Sequence, residues 1–275
     1  MFSIFVDFFS QGFMVYALII GLALGLGAAL LSPFLVLNNK SMIADGLSHV
    51  AFTGMIFGLL VFPNQPIYLA LPIAIVASIA ITYISKIKMI ESDAAIGVVS
   101  AFTLAVGLIT VSVADGGFNQ SIESLLTGAI LSTSTLDVIL AIVAFVIVVI
   151  FVLLFYRNLI SSSYDPLFAK FSKVKHNLLN YLLSALVATF IVVGVRTIGM
   201  LLISSFIIFP SLIAAQVSNS FKQNIFIGFI TAFIVITTGM FVSFELDLPT
   251  GSTIVVIYAI FLLLAILYRK FLRRS

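Results

Sequence analysis

Leu136–Tyr156 reads LDVILAIVAFVIVVIFVLLFY, an almost unbroken apolar run. A helix that crosses a bilayer needs about 20 such residues, because the hydrocarbon core is about 30 Å thick and a helix rises about 1.5 Å per residue. Working outward, similar runs precede it at Phe13–Leu37, Met42–Phe62, Ile67–Ser85 and Ala94–Val113. Others follow at Leu178–Val195, Ile198–Val217, Ile225–Phe244 and Ser252–Tyr268. The reading is an all-α integral membrane protein with about nine transmembrane helices, about eight to ten being the range. These spans take roughly two thirds of the chain. Residues 1–275 therefore read as a single transmembrane domain, with no room for a soluble catalytic domain.

Composition agrees. Of 275 residues, 62% are hydrophobic and 8% charged, against about 45–50% and about 25% in soluble proteins. So little charge cannot cover a soluble surface. The absence of cysteine excludes disulfides, thiolate metal sites and cysteine nucleophiles. The 13 Lys+Arg are too scattered for a nucleic-acid surface. Met1–Gln11 holds Asp7 and no basic residue, unlike a signal peptide.

Basic residues mark the cytoplasmic side of a membrane protein. Assigning loops alternately to two sides puts every Lys and Arg except Arg196 on one side. That side is cytoplasmic, the N-terminus is outside and the C-terminus is cytoplasmic. The outer loops carry Asp7, Asp115, Glu123, Glu245 and Asp247, a weakly cation-attracting face. Ala114–Thr135 is too polar to span, and its apolar part, Ser124–Leu131, reads as a short re-entrant or surface helix. Gly21 and Gly25 form a small-xxx-small pair, with Gly27 nearby, that suits close helix packing. Pro210 interrupts the backbone bonding of the seventh span, and Ser204 and Ser205 are placed to bond the freed groups.

The chemistry concentrates in Asp45-Gly46-Leu47-Ser48-His49. Asp45 and His49 share a helix face. Counted from Lys40 as a surface marker, they lie about 7 Å and about 13 Å deep. Ionisable groups at such depth are costly and mark an ion path. Carboxylate with imidazole also suits a divalent transition metal, imidazole favouring zinc and carboxylate manganese. A proton relay, or a pair that only locks helix packing, remains open on the same residues.

Other polar residues say less. Glu91, Ser92 and Asp93 either cap the fourth span or form the inner mouth of a pathway. Arg196 either snorkels to headgroups or sets a charge barrier. His176 reads as a solvated loop residue. Tyr164-Asp165-Pro166-Leu167-Phe168-Ala169-Lys170-Phe171-Ser172 reads as a short cytoplasmic helix, capped by Asp165 and opened by Pro166. Its apolar side chains suit either another subunit or the bilayer surface. No Gly-Lys dipeptide occurs, so the chain has no P-loop for ATP.

Taken in order, these segments resemble the zinc/manganese-type metal permeases of ABC importers over nearly the whole chain. The matching stretches are Asp45–Gly54, Asp93-Ala94-Ala95-Ile96-Gly97, Tyr164–Ala169, Gly199-Met200-Leu201-Leu202 through Pro210, and Leu248-Pro249-Thr250-Gly251-Ser252. Thr53 stands where that family usually has proline, and Ser172 where it usually has glycine. The resemblance implies a bacterial plasma-membrane permease that works as a homodimer. It also implies a separate cytoplasmic ATPase subunit and an extracellular or lipoprotein metal-binding protein. Asp45 and His49 would hold the transported Zn2+ or Mn2+, zinc being preferred, with Ser48, Glu91, Asp93 and Arg196 as pathway candidates and no permanently bound cofactor. Tyr164, Asp165, Pro166, Leu167, Phe168, Ala169 and Phe171 would couple to the ATPase.

Alternatives from other classes are a proton-coupled secondary transporter or channel using Asp45 and His49, and a non-transporting scaffold. A permease of the related cobalamin/siderophore importer fold is a closer one.

Overall fold

Inside hydrocarbon an unpaired peptide N–H or C=O costs several kcal/mol, so a spanning segment closes its bonds within itself as a helix. The computed structural model describes residues 8–38, 40, 42–86, 92–113, 133–164 and 175–272. Among them nine helices are long and apolar enough to cross a membrane. They are α1 (Gly12–Leu37), α2 (Ile43–Val61), α3 (Ile67–Lys86), α4 (Ser92–Val113), α5 (Thr135–Tyr164), α6 (His176–Ile198), α7 (Met200–Val217), α8 (Phe221–Leu246) and α9 (Thr250–Leu272). All nine expected spans are present.

The helices sort by burial. In α2, 72% of the apolar window is buried, against 17% in α4. So α2 is core, walled by α3, α4, α6 and α7, while α4 presents most of its surface outward. The second packing centre is α1, which lies against α5, α7 and α8. Outward-facing side chains such as Phe102, Leu153 and Leu154 are exposed and apolar, as a lipid-facing surface requires.

Close approach rests on small residues. A Cβ at Gly25 would stand 2.0 Å from Ile236 Cδ1, and one at Gly21 would stand 2.6 Å from Met240 Cε. This small-xxx-small pair is therefore the face on which α1 meets α8. Thr53 ties α2 to α4, its hydroxyl donating to the Thr103 carbonyl at 2.6 Å.

Three expectations are corrected. The fifth span does not end at Tyr156: α5 continues through Tyr164, with Leu159 and Ser162 still buried. The sixth and seventh spans do not run to Val195 and from Ile198. α6 continues to Ile198 and breaks at Gly199, whose φ of 84° and ψ of 163° suit a residue without Cβ. Ser204 and Ser205 do not relieve Pro210. They donate to the carbonyls of Met200 and Leu201, a turn before the groups that Pro210 frees. Lys40, between α1 and α2, has its side chain largely buried against the protein. The expected surface helix at Ser124–Leu131 lies outside the described residues.

Candidate functional site

The site is built on the first turns of α2. Asp45 and His49, four residues apart, bring Oδ2 and Nε2 to 3.8 Å. Helix geometry alone predicts this proximity. Asp45 is 52% exposed and His49 18%, so the pair opens on the side of the carboxylate. His49 Nδ1 is buried without a hydrogen-bond partner. Two ligand atoms about 2.1 Å from one ion, at a tetrahedral angle, stand about 3.4 Å apart. The observed spacing is close to that, so one ion can meet both. Among the described residues no cluster of three His, Asp or Glu side chains forms, so the pair is at most half a coordination shell.

α2 starts at Ile43, which puts His49 about 9 Å along the helix axis. Ahead of that helix, Lys40 N–H donates to the Leu35 carbonyl at 2.9 Å.

Gly46 and Ser48 face into the protein. A Cβ at Gly46 would lie 2.5 Å from Ile96 Cγ2, so the Asp45–Gly54 stretch and the Asp93–Gly97 stretch pack on each other here. Ser48 is 1% exposed and its hydroxyl donates to the Asp45 carbonyl at 2.7 Å. Ser204 of α7 reaches Ser48 Oγ at 3.5 Å. The sequence placed Ser204 by Pro210. Its neighbourhood to the site is a tertiary fact without a local signal.

The remaining candidates are not gathered here by any described contact. Asp93 sits exposed in the first turn of α4, where a negative charge favours the helix start. Glu91 lies outside the described residues. Arg196 neither snorkels nor stands alone. At the outer end of α6 its Nε donates to Asp137 Oδ1 at 3.0 Å, and both side chains are largely buried. Asp137 was missed in the sequence as the partner of Arg196. Its signal is Ser134-Thr135-Leu136-Asp137, a capping pattern in which Asp137 Oδ2 accepts from Ser134 N–H and Oγ.

On the opposite end, His176 is not a free loop residue. Its Nδ1 meets Ser162 Oγ, and its Nε2 meets Asn180 Nδ2 at 3.0 Å. In the coupling segment only the backbone of Tyr164, the last residue of α5, is described. Asp165, Pro166, Leu167, Phe168, Ala169 and Phe171 lie outside the described residues.

Residues 10–269 match the model of the ABC 3 transport family. The manganese import system permease protein ScaB of Streptococcus gordonii is 30% identical over 253 residues, covering 92% of this chain and 90% of that protein. The chelated iron transport system membrane protein YfeD of Yersinia pestis is 27% identical over 277 residues, covering 98% and 89%. The solved structure of PsaBC from Streptococcus pneumoniae in complex with Fab contains a chain that superposes with a TM-score of 0.84. It is 28% identical, and the match covers 96% of this chain and 95% of that one. The resemblance to metal permeases of ABC importers is borne out, and nine apolar helices make the protein multi-pass. The chain belongs to the ABC 3 transport family, as an inner-membrane permease.

Proposed function

We propose that this chain is the membrane subunit of an ATP-driven importer of divalent transition metal ions, with Asp45 and His49 as its contribution to the ion path. The observation that carries the reading is the 3.8 Å carboxylate–imidazole pair near the start of a buried span, open on its carboxylate side. Such a group inside a membrane is costly unless it serves a path. A pair short of a full shell suits transport, since a permeation site must also release its ion. A second copy of the chain meeting this one at a two-fold axis would bring a second Asp45–His49 pair to the same pathway. ATP would be hydrolysed on a separate cytoplasmic subunit docked at 164–171. An extracellular or lipoprotein metal-binding protein would deliver the ion.

The cargo is zinc or manganese. His49 favours zinc, which binds nitrogen-containing sites more tightly than manganese. The relatives are named for manganese and for chelated iron. Uptake of radioactive zinc and manganese by cells lacking and then regaining the chain separates the two. Asp45→Ala and His49→Ala are compared at equal membrane abundance. Restoration of one metal's ATP-dependent uptake by the wild type, and its loss in both variants, supports the reading and names the ion. Normal uptake in either variant removes that residue from the path. Uptake that persists without ATP and follows a pH gradient favours the secondary transporter.

A further inference from the structure

A second polar site lies at the cytoplasmic end, apart from the Asp45–His49 pair. Asn38 and Lys40 between α1 and α2, the end of α3 and the start of α6 border a half-open cavity of about 210 Å³. Pockets for drug-sized ligands measure about 300–1,000 Å³, so this one suits a single small group. Lys40, Asn38, Thr82, Ser85, His176 and Asn180 are among the residues that line it, and no described acidic residue does.

Lys40 is the odd member. Its ammonium makes one long hydrogen bond, 3.5 Å to Ser184 Oγ. Neither ion pair among the described residues includes it. Burial lowers its pKa to about 8, the mark of a cation that has lost water without gaining a counter-charge. The groups around it are already held. Ser184 Oγ and Thr82 Oγ1 bond each other at 2.8 Å. Asn38 Nδ2 donates to the Phe34 carbonyl at 2.7 Å and to Ser163 Oγ at 2.9 Å. His176 is fixed between Ser162 and Asn180. The first turn of α6 holds no acidic residue and no side-chain cap, so its positive end lies on the same side without a compensating charge among the described residues. Among the described residues the cavity therefore has a polar wall, one under-used cation and no acidic side chain.

We propose that this cavity binds a phosphate group, carried by an anionic lipid headgroup of the cytoplasmic leaflet or by free phosphate. Lys40 supplies a charge-assisted hydrogen bond, and the neutral amides and hydroxyls complete the contact. The occupied site clamps three elements at one corner. One of them is the connection that leads directly into α2, where Ile43 N–H donates to the Lys40 carbonyl at 3.1 Å. Phosphate binding thereby steadies the start of the helix that carries Asp45 and His49.

The test uses the purified full chain in phosphatidylcholine nanodiscs. One arm adds phosphatidylglycerol to the bilayer, and the other adds inorganic phosphate against chloride at matched ionic strength. Two readouts are taken: the unfolding temperature, and acetylation of Lys40 followed by mass spectrometry. The proposal expects one arm to protect Lys40 and raise the unfolding temperature, and that arm names the source. Lys40→Met weakens the effect about tenfold or more, the worth of a charge-assisted hydrogen bond, and Lys40→Arg retains it. Lys222→Met, at an exposed site, leaves it unchanged. Equal acetylation of wild-type Lys40 with and without both ligands overturns the proposal, even if Lys40→Met fails to fold. So does a Lys40→Met protein that responds as the wild type does.

Discussion

Arg196 Nε donates to Asp137 Oδ1 at 3.0 Å and pins the outer end of α6 to the start of α5. The two partners are not equally dependent on each other. Asp137 keeps its bonds to Ser134 and the favourable N-terminus of α5 when Arg196 is gone. Arg196 already has a buried, unpartnered Nη1, and losing Asp137 leaves its charge uncompensated.

Asp137→Ala is therefore expected to destabilise the protein by about 3–5 kcal/mol, and Arg196→Met by about 1–2 kcal/mol. Unfolding midpoints in detergent, with the double variant closing the cycle, measure both. Equal costs, or the reverse order, would contradict the asymmetry.

At Gly46 the prediction is steric. A Cβ there would stand 2.5 Å from Ile96 Cγ2, on a branch point with little freedom to retreat. Gly46→Ala should cost about 1–3 kcal/mol by overpacking and lower uptake by shifting Asp45. Adding Ile96→Ala removes the clash, so the double variant should regain uptake over Gly46→Ala alone. No recovery would mean that α2 and α4 do not meet here.

Tyr258 offers a stabilising change. Its ring is fully buried and stacks on Phe209 at 5.4 Å, while its hydroxyl has no hydrogen-bond partner. Tyr258→Phe removes that unsatisfied group and should raise stability by about 1 kcal/mol. A lower unfolding temperature for the variant would show that the hydroxyl is bonded in the membrane.

Lys40 predicts a pH dependence. Burial lowers its pKa from 10.5 to about 8. Between those values the unfolded chain holds a proton that the folded chain has released, so stability rises with pH across that window. The wild type minus Lys40→Met difference, followed from pH 8 to pH 10.5 without phosphate or anionic lipid, should show the rise. A flat difference would mean that the ammonium is solvated.

Some of the site was plain from the chain alone and some was hidden. Asp45 and His49 meet because a helix places residues four apart on one face. Ser204 and Ser48 stand 156 residues apart, and nothing local joins them. Arg196 looked unpaired because its partner lies 59 residues earlier. Asp137 showed only as a cap.

What the sequence by itself determined is the set of nine spans, their orientation, the family and the Asp45–His49 pair. Hydrocarbon judges each segment separately, on length and apolarity, so every span can be read without its neighbours. Only the tertiary structure decided which helices form the core, where α6 yields to α7, that Lys40 is buried, and which residues answer Arg196 and Ser48. The reason is physical. Helices that are apolar all round carry little record of which face turns inward. That choice is made by the fit of small residues against large ones, Gly25 against Ile236 and Gly46 against Ile96, which exists only once the helices have met.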